Sequence, residues 1–290
     1  MKKRFFLIGF IFTFILPSHL LSQSLLWEVM GKKSKKPSYI YGTIHIQDKR
    51  VFEYSDSVEI AIDACDAFAL ELLLDEIDQK EMIKHMMMKE SLDDLMEKED
   101  YDFLKKTLKE KYGIGIAMFN NMKPFFLSSQ LSMLEIKSDM ADALDLYLLK
   151  IARKKDKKCY GIEKFSDQIA AVDRITIKEQ IKMLMDAVKD TTDESSSKTE
   201  ELIGAYLKMD LEEMVKLTQD TAMPAEFEKA FLIDRNVKMV KSIGKKMRKS
   251  PIFVAIGAAH LGGENGVLNL MRKRGYKIRA VEMNFDKIKN

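Results

Sequence analysis

The sequence predicts an α/β (α+β) fold, in which a small mixed β-sheet is built from both ends of the chain and carries a large helical insertion. Short apolar segments, which are typical of buried strands, occur near both ends, for example Leu25–Met30 and Pro251–Ile256. Between them, Asp75–Lys111 is rich in Glu, Lys, Met and Leu at helical spacing and contains neither Gly nor Pro. We therefore expect strands from both ends to meet in one sheet, with helices packed over it.

The chain of 290 residues is long enough to bury one sizeable core. We expect residues 1–22 to be a leader and residues 23–290 to form the folded domain. Its helical insertion is expected at about 75–155 and 165–248, and a strand near residue 160 interrupts it.

The leader has the pattern of a secretory signal peptide. Three basic residues at positions 2–4 precede an apolar run at Phe5–Leu16, which is short for a transmembrane helix. Cleavage is expected between Ser22 and Gln23, and an uncleaved signal anchor is the alternative. No Cys lies near this point, which argues against a lipoprotein. We expect a secreted or periplasmic protein with no stable membrane insertion after signal cleavage.

The composition excludes some partners and some kinds of metal site. The 48 basic and 45 acidic residues give a net charge of +3, and without the three basic leader residues the charges balance. We therefore expect no nucleic-acid partner and no binding to polyanions or membrane surfaces. The two cysteines, Cys65 and Cys159, form no C-x-x-C motif, and whether they pair stays open. Any metal site must then use His and carboxylate side chains.

The amino-terminal elements follow from alternation and turn residues. Leu25–Met30 and Ser38–His45 predict a β-hairpin with a long polar loop. Val51–Ala64 has helical spacing, and Asp66–Leu72 predicts a strand that ends next to Glu71.

The insertion is predicted to be mainly helical, with breaks at Tyr112–Gly115 and at a polar loop, Asp190–Lys198. We expect most of the 20 methionines to fill irregular gaps in the core. An adaptable substrate groove is the less favoured alternative. Cys159–Glu163 predicts a core strand that ends in Glu163. The remaining predicted helices are Phe125–Ile136, Ala141–Lys155, Phe165–Lys189, Glu200–Gln219, Pro224–Met247 and Leu268–Arg274, and Tyr276–Met283 is the closing strand.

Two histidines occur in matching positions at opposite ends of the chain. His45 and His260 each end a G-x-x-H turn after a predicted strand, and Glu71 and Glu163 lie at two further strand ends. The Gly of each turn allows the backbone to reverse sharply. Two imidazoles with one or two carboxylates suit Zn²⁺, Mn²⁺, Fe²⁺ or Co²⁺. We therefore predict that the fold brings these side chains together around one divalent metal ion.

Such a metal would activate a bound water and polarise a carbonyl group. A free glutamate could take the proton from that water, and Arg235 could hold a substrate carboxylate or the developing oxyanion. Each residue also has an ordinary alternative. Glu71 and Glu163 could pair with surface lysines, and Arg235 could belong to a surface ion pair.

These segments resemble the TraB/GumN family, which includes the pheromone-shutdown protein PrgY and the Tiki proteases. The resemblance covers about residues 26–283, and the G-T-I-H and G-A-A-H-L-G-G segments are its most specific parts. The matching segments are Leu25–Val29, Tyr39–His45, Ala69–Leu72, Lys158–Gln168, Asp234–Asn236 and Ile256–Val267.

The resemblance implies a Tiki-like α/β fold with a metal-dependent active site formed by His45, Glu71 and His260. Glu163 and Arg235 match other polar positions of the family pattern. Proteolysis with Mn²⁺ or Co²⁺ is the activity that the resemblance implies. Tiki proteins are membrane-tethered, whereas this chain is predicted to be simply exported.

We therefore expect a secreted metal-dependent hydrolase that acts on a peptide or protein substrate. The alternative is a non-catalytic protein that binds and sequesters peptides, as a pheromone-shutdown role would allow. An esterase on the same scaffold is a third possibility, because a fold does not determine chemistry.

Overall fold

The computed structural model describes residues 23–135, 138–189, 194–219 and 225–283. The predicted signal peptide and the predicted helix start at Pro224 lie outside these residues. Within the described ranges, no helix is both long enough and apolar enough to cross a membrane.

A six-stranded mixed sheet forms the centre of the molecule, in the order β4-β3-β5-β2-β1-β6. Four neighbouring strands, β4, β3, β5 and β2, are parallel, and β1 is antiparallel to both β2 and β6. The predicted sheet from both chain ends and the predicted β1–β2 hairpin are thus confirmed. The strands are β1 Leu26–Met30, β2 Ser38–Thr43, β3 Ala67–Leu70, β4 Lys158–Gly161, β5 Ile252–Gly257 and β6 Lys277–Ala280.

Helices make up most of the remaining described structure. Between α11 and α12 the helix widens to a π-helical segment, Lys229–Ile233. The α-helices are α1 Asp56–Asp63, α2 Gln79–Met86, α3 Leu92–Leu95, α4 Lys98–Tyr112, α5 Pro124–Glu135, α6 Leu144–Lys154, α7 Phe165–Val172, α8 Ile177–Lys189, α9 Glu194–Leu207, α10 Leu211–Gln219, α11 Ala225–Glu228, α12 Asp234–Met247 and α13 Val267–Lys273.

The central strand β5 is buried on both faces, as expected for a parallel strand between two layers. Phe253 and Ala255 face one core, which α1, α6 and α9 complete. Ile252, Val254 and Ile256 face the other core, against α12 and α13. Because successive side chains of β5 point to opposite faces of the sheet, helices pack against both faces.

A third core holds the insertion helices together. Leucines of α4 and α8 and the buried methionines Met96, Met122 and Met185 meet there. The run Met86–Met88 packs against the same core. This arrangement supports the interpretation of these methionines as filler of irregular gaps.

Two element predictions are wrong in detail. The predicted core strand at Cys159–Glu163 is β4, which forms one edge of the described sheet and exposes Tyr160. The predicted loop Asp190–Lys198 is helical from Glu194, because Ile203 and Tyr206 further along α9 anchor that helix in the core. Residues 190–193 lie outside the described ranges.

Two predicted single helices are each divided in two. Glu200–Gln219 is interrupted at Met209, which adopts a φ of 56°. Asp210 then caps α10, since its carboxylate accepts a hydrogen bond from the Glu213 N–H at 3.0 Å. Phe165–Lys189 is likewise split into α7 and α8.

Candidate active site

The carboxyl ends of the four parallel strands bring the predicted site residues to one edge of the sheet. Glu163 follows β4, Glu71 follows β3, His260 follows β5 and His45 follows β2. The strand order β4-β3-β5-β2 therefore places the four side chains in that sequence along the edge. This edge is where open α/β sheets bind ligands.

The two G-x-x-H turns pack directly on each other. Thr43 of β2 pairs with Gly257 of β5, so the two chains leave the sheet side by side. A Cβ atom on Gly42 would meet the Leu261 Cδ1 at 2.9 Å and the Ala258 Cβ at 3.0 Å. Gly42 is thus required because the second turn occupies the space of its missing side chain.

His260 is buried and held in one orientation. Its Nδ1 lies 2.7 Å from the Oδ1 of Asn236, whose Nδ2 donates to the Asn265 carbonyl at 2.9 Å. Asn236 therefore accepts the proton of Nδ1, and Nε2 keeps its lone pair, 3.8 Å from Glu71 Oε1. The pKa of His260 is lowered to about 4, mainly by burial; the charge of Glu71 opposes this effect and that of Arg235 adds to it.

His45 is held in a similar way but is exposed. Its Nδ1 lies 3.0 and 3.1 Å from the two carboxylate oxygens of Asp145 on α6. The hydrogen bond with Asp145 raises the pKa of His45, although partial burial acts in the opposite direction. His45, Asp145 and Glu71 line one cavity of about 270 Å³. In both histidines Nδ1 is engaged, so Nε2 is the atom available for a ligand.

Glu71 lies next to His260 along the edge, because it follows β3, the strand beside β5. Its Oε1 accepts the Gly257 N–H at 2.8 Å, and its Oε2 accepts Arg235 Nη2 at 2.7 Å. Burial alone would raise the pKa of Glu71, but His260, Arg235 and the Gly257 N–H together lower it. His260 is neutral near pH 7, so Arg235 and the Gly257 N–H keep Glu71 ionised there.

Arg235 bridges Glu71 and Glu163 inside the protein. Its Nε and Nη2 donate to Glu163 at 3.1 and 2.6 Å, and its Nη1 donates to the Phe231 carbonyl at 3.2 Å. The Glu163 side chain is fully buried and also accepts from Gln168 at 3.3 Å. The two glutamates thus pair with a buried arginine, and the alternative of surface lysine partners is wrong.

The position of Arg235 depends on the π-helical segment Lys229–Ile233. This wider turn immediately precedes Arg235, and the guanidinium carbon lies 5.8 Å from the Phe231 ring. One extra residue in a helical turn rotates everything that follows it, and such turns are common at functional sites. The bulge therefore determines which face of α12 carries Arg235.

The donor set matches a divalent cation in chemistry, but its members do not yet converge. Within the described ranges, no three His, Cys, Asp or Glu side chains lie close enough together to hold a metal ion. Two imidazoles with a free Nε2 and one ionised carboxylate are suitable ligands for Zn²⁺ or Mn²⁺. The His45 side chain is 55% exposed and that of His260 7%, so His45 is the histidine with room to move.

Two residues of this site were not predicted from the sequence, namely Asp145 and Asn236. Asp145 is 100 positions from His45, and Asn236 is 24 positions before His260. Asn236 does lie within the D-R-N segment that matches the family pattern, and this was the one available signal. Asp145 lies in a predicted helix without any motif.

Comparison with known proteins gives a family and distant relatives. The model of the TraB/PrgY/gumN family matches residues 25–280. Metalloprotease TIKI2 of Xenopus tropicalis is 22% identical over 319 residues, which cover 88% of this chain and 59% of that protein. Metalloprotease TIKI1 of Homo sapiens is 23% identical over 320 residues, with 88% and 61% covered. No solved structure matches the chain. The chain thus spans about six tenths of the length of these relatives.

Proposed function

The chain belongs to the TraB/PrgY/gumN family, and from this membership we propose that it is an exported metal-dependent hydrolase that cleaves peptide bonds. The observation that carries the proposal is the pair of G-x-x-H histidines at one sheet edge, each with Nδ1 engaged. An ionised Glu71 lies beside His260, with its Oε1 3.8 Å from the His260 Nε2. The distant relatives named as metalloproteases support the same activity.

In this proposal His45, Glu71 and His260 hold a divalent ion, which is Mn, Co, Fe or Zn. When bound, the ion would supply an activated water and a polarised carbonyl. Asp145 and Asn236 keep the two Nδ1 atoms engaged, so that Nε2 of each histidine is presented. Partners of this kind commonly determine both the tautomer and the basicity of metal-ligating histidines.

Arg235 and Glu163 act through Glu71 rather than on the substrate. Arg235 donates to Glu71, Glu163 and the Phe231 carbonyl, and the Glu163 side chain has no exposed surface. We therefore assign both as positioning residues. Glu71, with its lowered pKa, suits a metal ligand better than a general base, because a weak base removes protons poorly.

The substrate is a peptide or a protein. The cavity of about 270 Å³ beside His45 and Glu71 has an apolar wall of Leu70, Leu72 and Leu146. Such a wall suits an apolar side chain next to the cleaved bond. The predicted signal peptide supports a location in the periplasm or outside the cell.

A non-catalytic peptide-binding protein is the second candidate. One observation favours it, namely that no three donor side chains converge among the described residues. This candidate predicts peptide binding that survives both chelation and the loss of either histidine. It also predicts no cleavage products at any metal concentration.

Cleavage of a peptide library, followed by mass spectrometry, tests the hydrolase. The full chain is assayed after chelation and again with Mn²⁺ or Co²⁺ restored. We expect cleavage only with metal, and its loss in His45→Ala and in His260→Ala. The matched control is His85→Ala, because His85 lies on α2 outside the site. Metal-independent cleavage, or equal activity in all three variants, would refute the proposal.

A further inference from the structure

A second cavity, of about 780 Å³, lies at the end of the sheet opposite the candidate active site. Three turns enclose it: the β1–β2 loop, the turn before β5 and the turn before β6. These turns lie at the amino ends of the strands, whereas His45, Glu71 and His260 follow the carboxyl ends. The cavity is therefore separate from the proposed metal chemistry.

Positive charge dominates the walls of this cavity. Seven of its fifteen lining residues are basic and one, Asp66, is acidic. The β1–β2 loop alone contributes Lys32, Lys33, Lys35 and Lys36, all of them exposed. A concave surface lined by one sign of charge focuses its electrostatic field and concentrates ions of the opposite sign.

The other three basic residues come from distant parts of the sequence. Arg248 and Lys249 follow α12, and Arg274 follows α13. Burial lowers the pKa of the neighbouring Lys246, and the positive charges of Lys249 and Lys245 lower it further. Positive charges at this end of the molecule thus lie close enough to repel one another, and Glu76 acts in the opposite direction.

The seven basic side chains have no ion-pair partner among the described residues. Lysines elsewhere in the molecule are commonly paired, as Lys155 is with Asp63 and Lys238 is with Asp167, both at 2.7 Å. Lysines that only increase solubility are usually mixed with acidic residues over the surface. Here three separate turns bring seven basic residues to one concave surface, on which Asp66 is the single acidic residue.

We propose that this basic cavity binds a phosphate-bearing ligand, whose phosphate comes either from a lipid headgroup or from a soluble organic phosphate. Lys and Arg are the side chains that proteins use to hold phosphate oxygens. Met247, Pro251 and Tyr276 add apolar surface, against which the carbon part of the ligand packs. The volume lies within the range of about 300–1,000 Å³ that is typical of small-molecule sites.

Binding by the full chain is measured with two probes. Inorganic pyrophosphate, followed by calorimetry, represents the soluble source. Phosphatidylglycerol–phosphatidylcholine vesicles, compared with pure phosphatidylcholine vesicles by flotation, represent the lipid source. The test variant is Arg248→Gln with Lys249→Gln, and the control is Lys105→Gln with Lys109→Gln. The control pair is exposed on α4 and changes the net charge by the same amount.

We expect at least one probe to bind, and binding to weaken about tenfold in the test variant while the control variant binds normally. Higher salt should weaken binding further, since exposed charges are screened. The probe that binds identifies the source of the phosphate. Failure of both probes to bind, or equal weakening in the two variants, would overturn the proposal.

Discussion

The two site histidines differ most in their freedom to move. His260 is 6% exposed and locked by Asn236, whereas His45 has a 55% exposed side chain and a single carboxylate partner. We infer that His260 with Glu71 forms the fixed part of the proposed metal site and that His45 completes it. Metal affinity should then depend strongly on the residue that orients His260.

Replacement of Asn236 by leucine removes the acceptor for His260 Nδ1 and keeps a similar volume. We expect metal affinity to fall about 10–100-fold, as is typical when a partner of a metal-ligating histidine is lost. Competition with a fluorescent chelator measures the affinity. The control is Asn121→Leu, since Asn121 lies in the insertion and bonds only to backbone carbonyls. Equal affinities in the two variants would contradict the role of Asn236.

Replacement of Arg235 by methionine leaves Glu71 and the fully buried Glu163 without their cation. Loss of one partner of a buried ion pair costs about 3–5 kcal/mol, because the remaining charge is desolvated and unpaired. We therefore expect the urea midpoint to fall sharply, and to recover in part in Arg235→Met with Glu163→Gln. The control, Arg153→Met, breaks the exposed pair with Asp75, which should cost no more than about 1 kcal/mol.

If Arg235→Met and Arg153→Met lower the free energy of unfolding by the same amount, the buried network contributes no more to stability than an exposed ion pair does. Activity supplies a second readout, because Glu71 would lose the partner that holds its Oε2. The double variant should regain stability without regaining cleavage. That difference separates a positioning role from a purely structural one.

At the scale of elements, the contact between β2 and the turn after β5 determines how the two G-x-x-H segments meet. A Cβ on Gly42 would come within 2.9–3.0 Å of Leu261 and Ala258. Both neighbours are buried, and the Cα of Ala258 would also lie within 3.2 Å, so the backbone of the second turn would have to move. The spacing of the two histidine turns is therefore set by the absence of one side chain.

The substitution Gly42→Ala should push the second turn away from β2 and destabilise the protein by about 1–3 kcal/mol, as overpacking of a core does. It should also weaken metal binding. The control is Gly204→Ala in helix α9, where a Cβ would meet nothing within 4 Å. That change should stabilise the protein by about 0.5–1 kcal/mol. Thermal unfolding measures the stability of both variants. A Gly42→Ala protein as stable as the unsubstituted protein would contradict the close contact at Gly42.

Several elements could be predicted from local patterns alone. β5 is continuously apolar and begins just after a proline, and both G-x-x-H turns follow strands as their sequence indicates. The edge position of β4 could not be predicted, because its apolar residues do not reveal whether a further strand lies beside it. The break at Met209 could not be predicted either, since it depends on a residue with positive φ in an otherwise amphipathic run.

At the scale of the whole molecule, the helical insertion supplies parts of the site rather than only covering it. Asp145 comes from α6 and Asn236 from α12, and both reach the histidines at the sheet edge. The positions of the proposed metal donors could be predicted because each follows a strand. The residues that orient them could not, because their contacts arise only when the insertion packs on the sheet.

The net charge also hides a separation of charge across the molecule. Nearly balanced totals led to the expectation of no polyanion or membrane-surface binding. Yet the amino edge of the sheet carries a cavity with seven basic residues and one acidic residue. The net charge is a property of the whole chain, whereas binding depends on which charged residues the fold brings to one surface.

The most direct test is an anomalous difference map from crystals of the protein grown with Mn²⁺. We predict a single strong peak at the carboxyl edge of the sheet, about 2.0–2.2 Å from the Nε2 atoms of His45 and His260. Glu71 should provide an oxygen ligand to the same ion. A map with no peak at this edge, or with the two histidines bound to different ions, would contradict a shared metal centre.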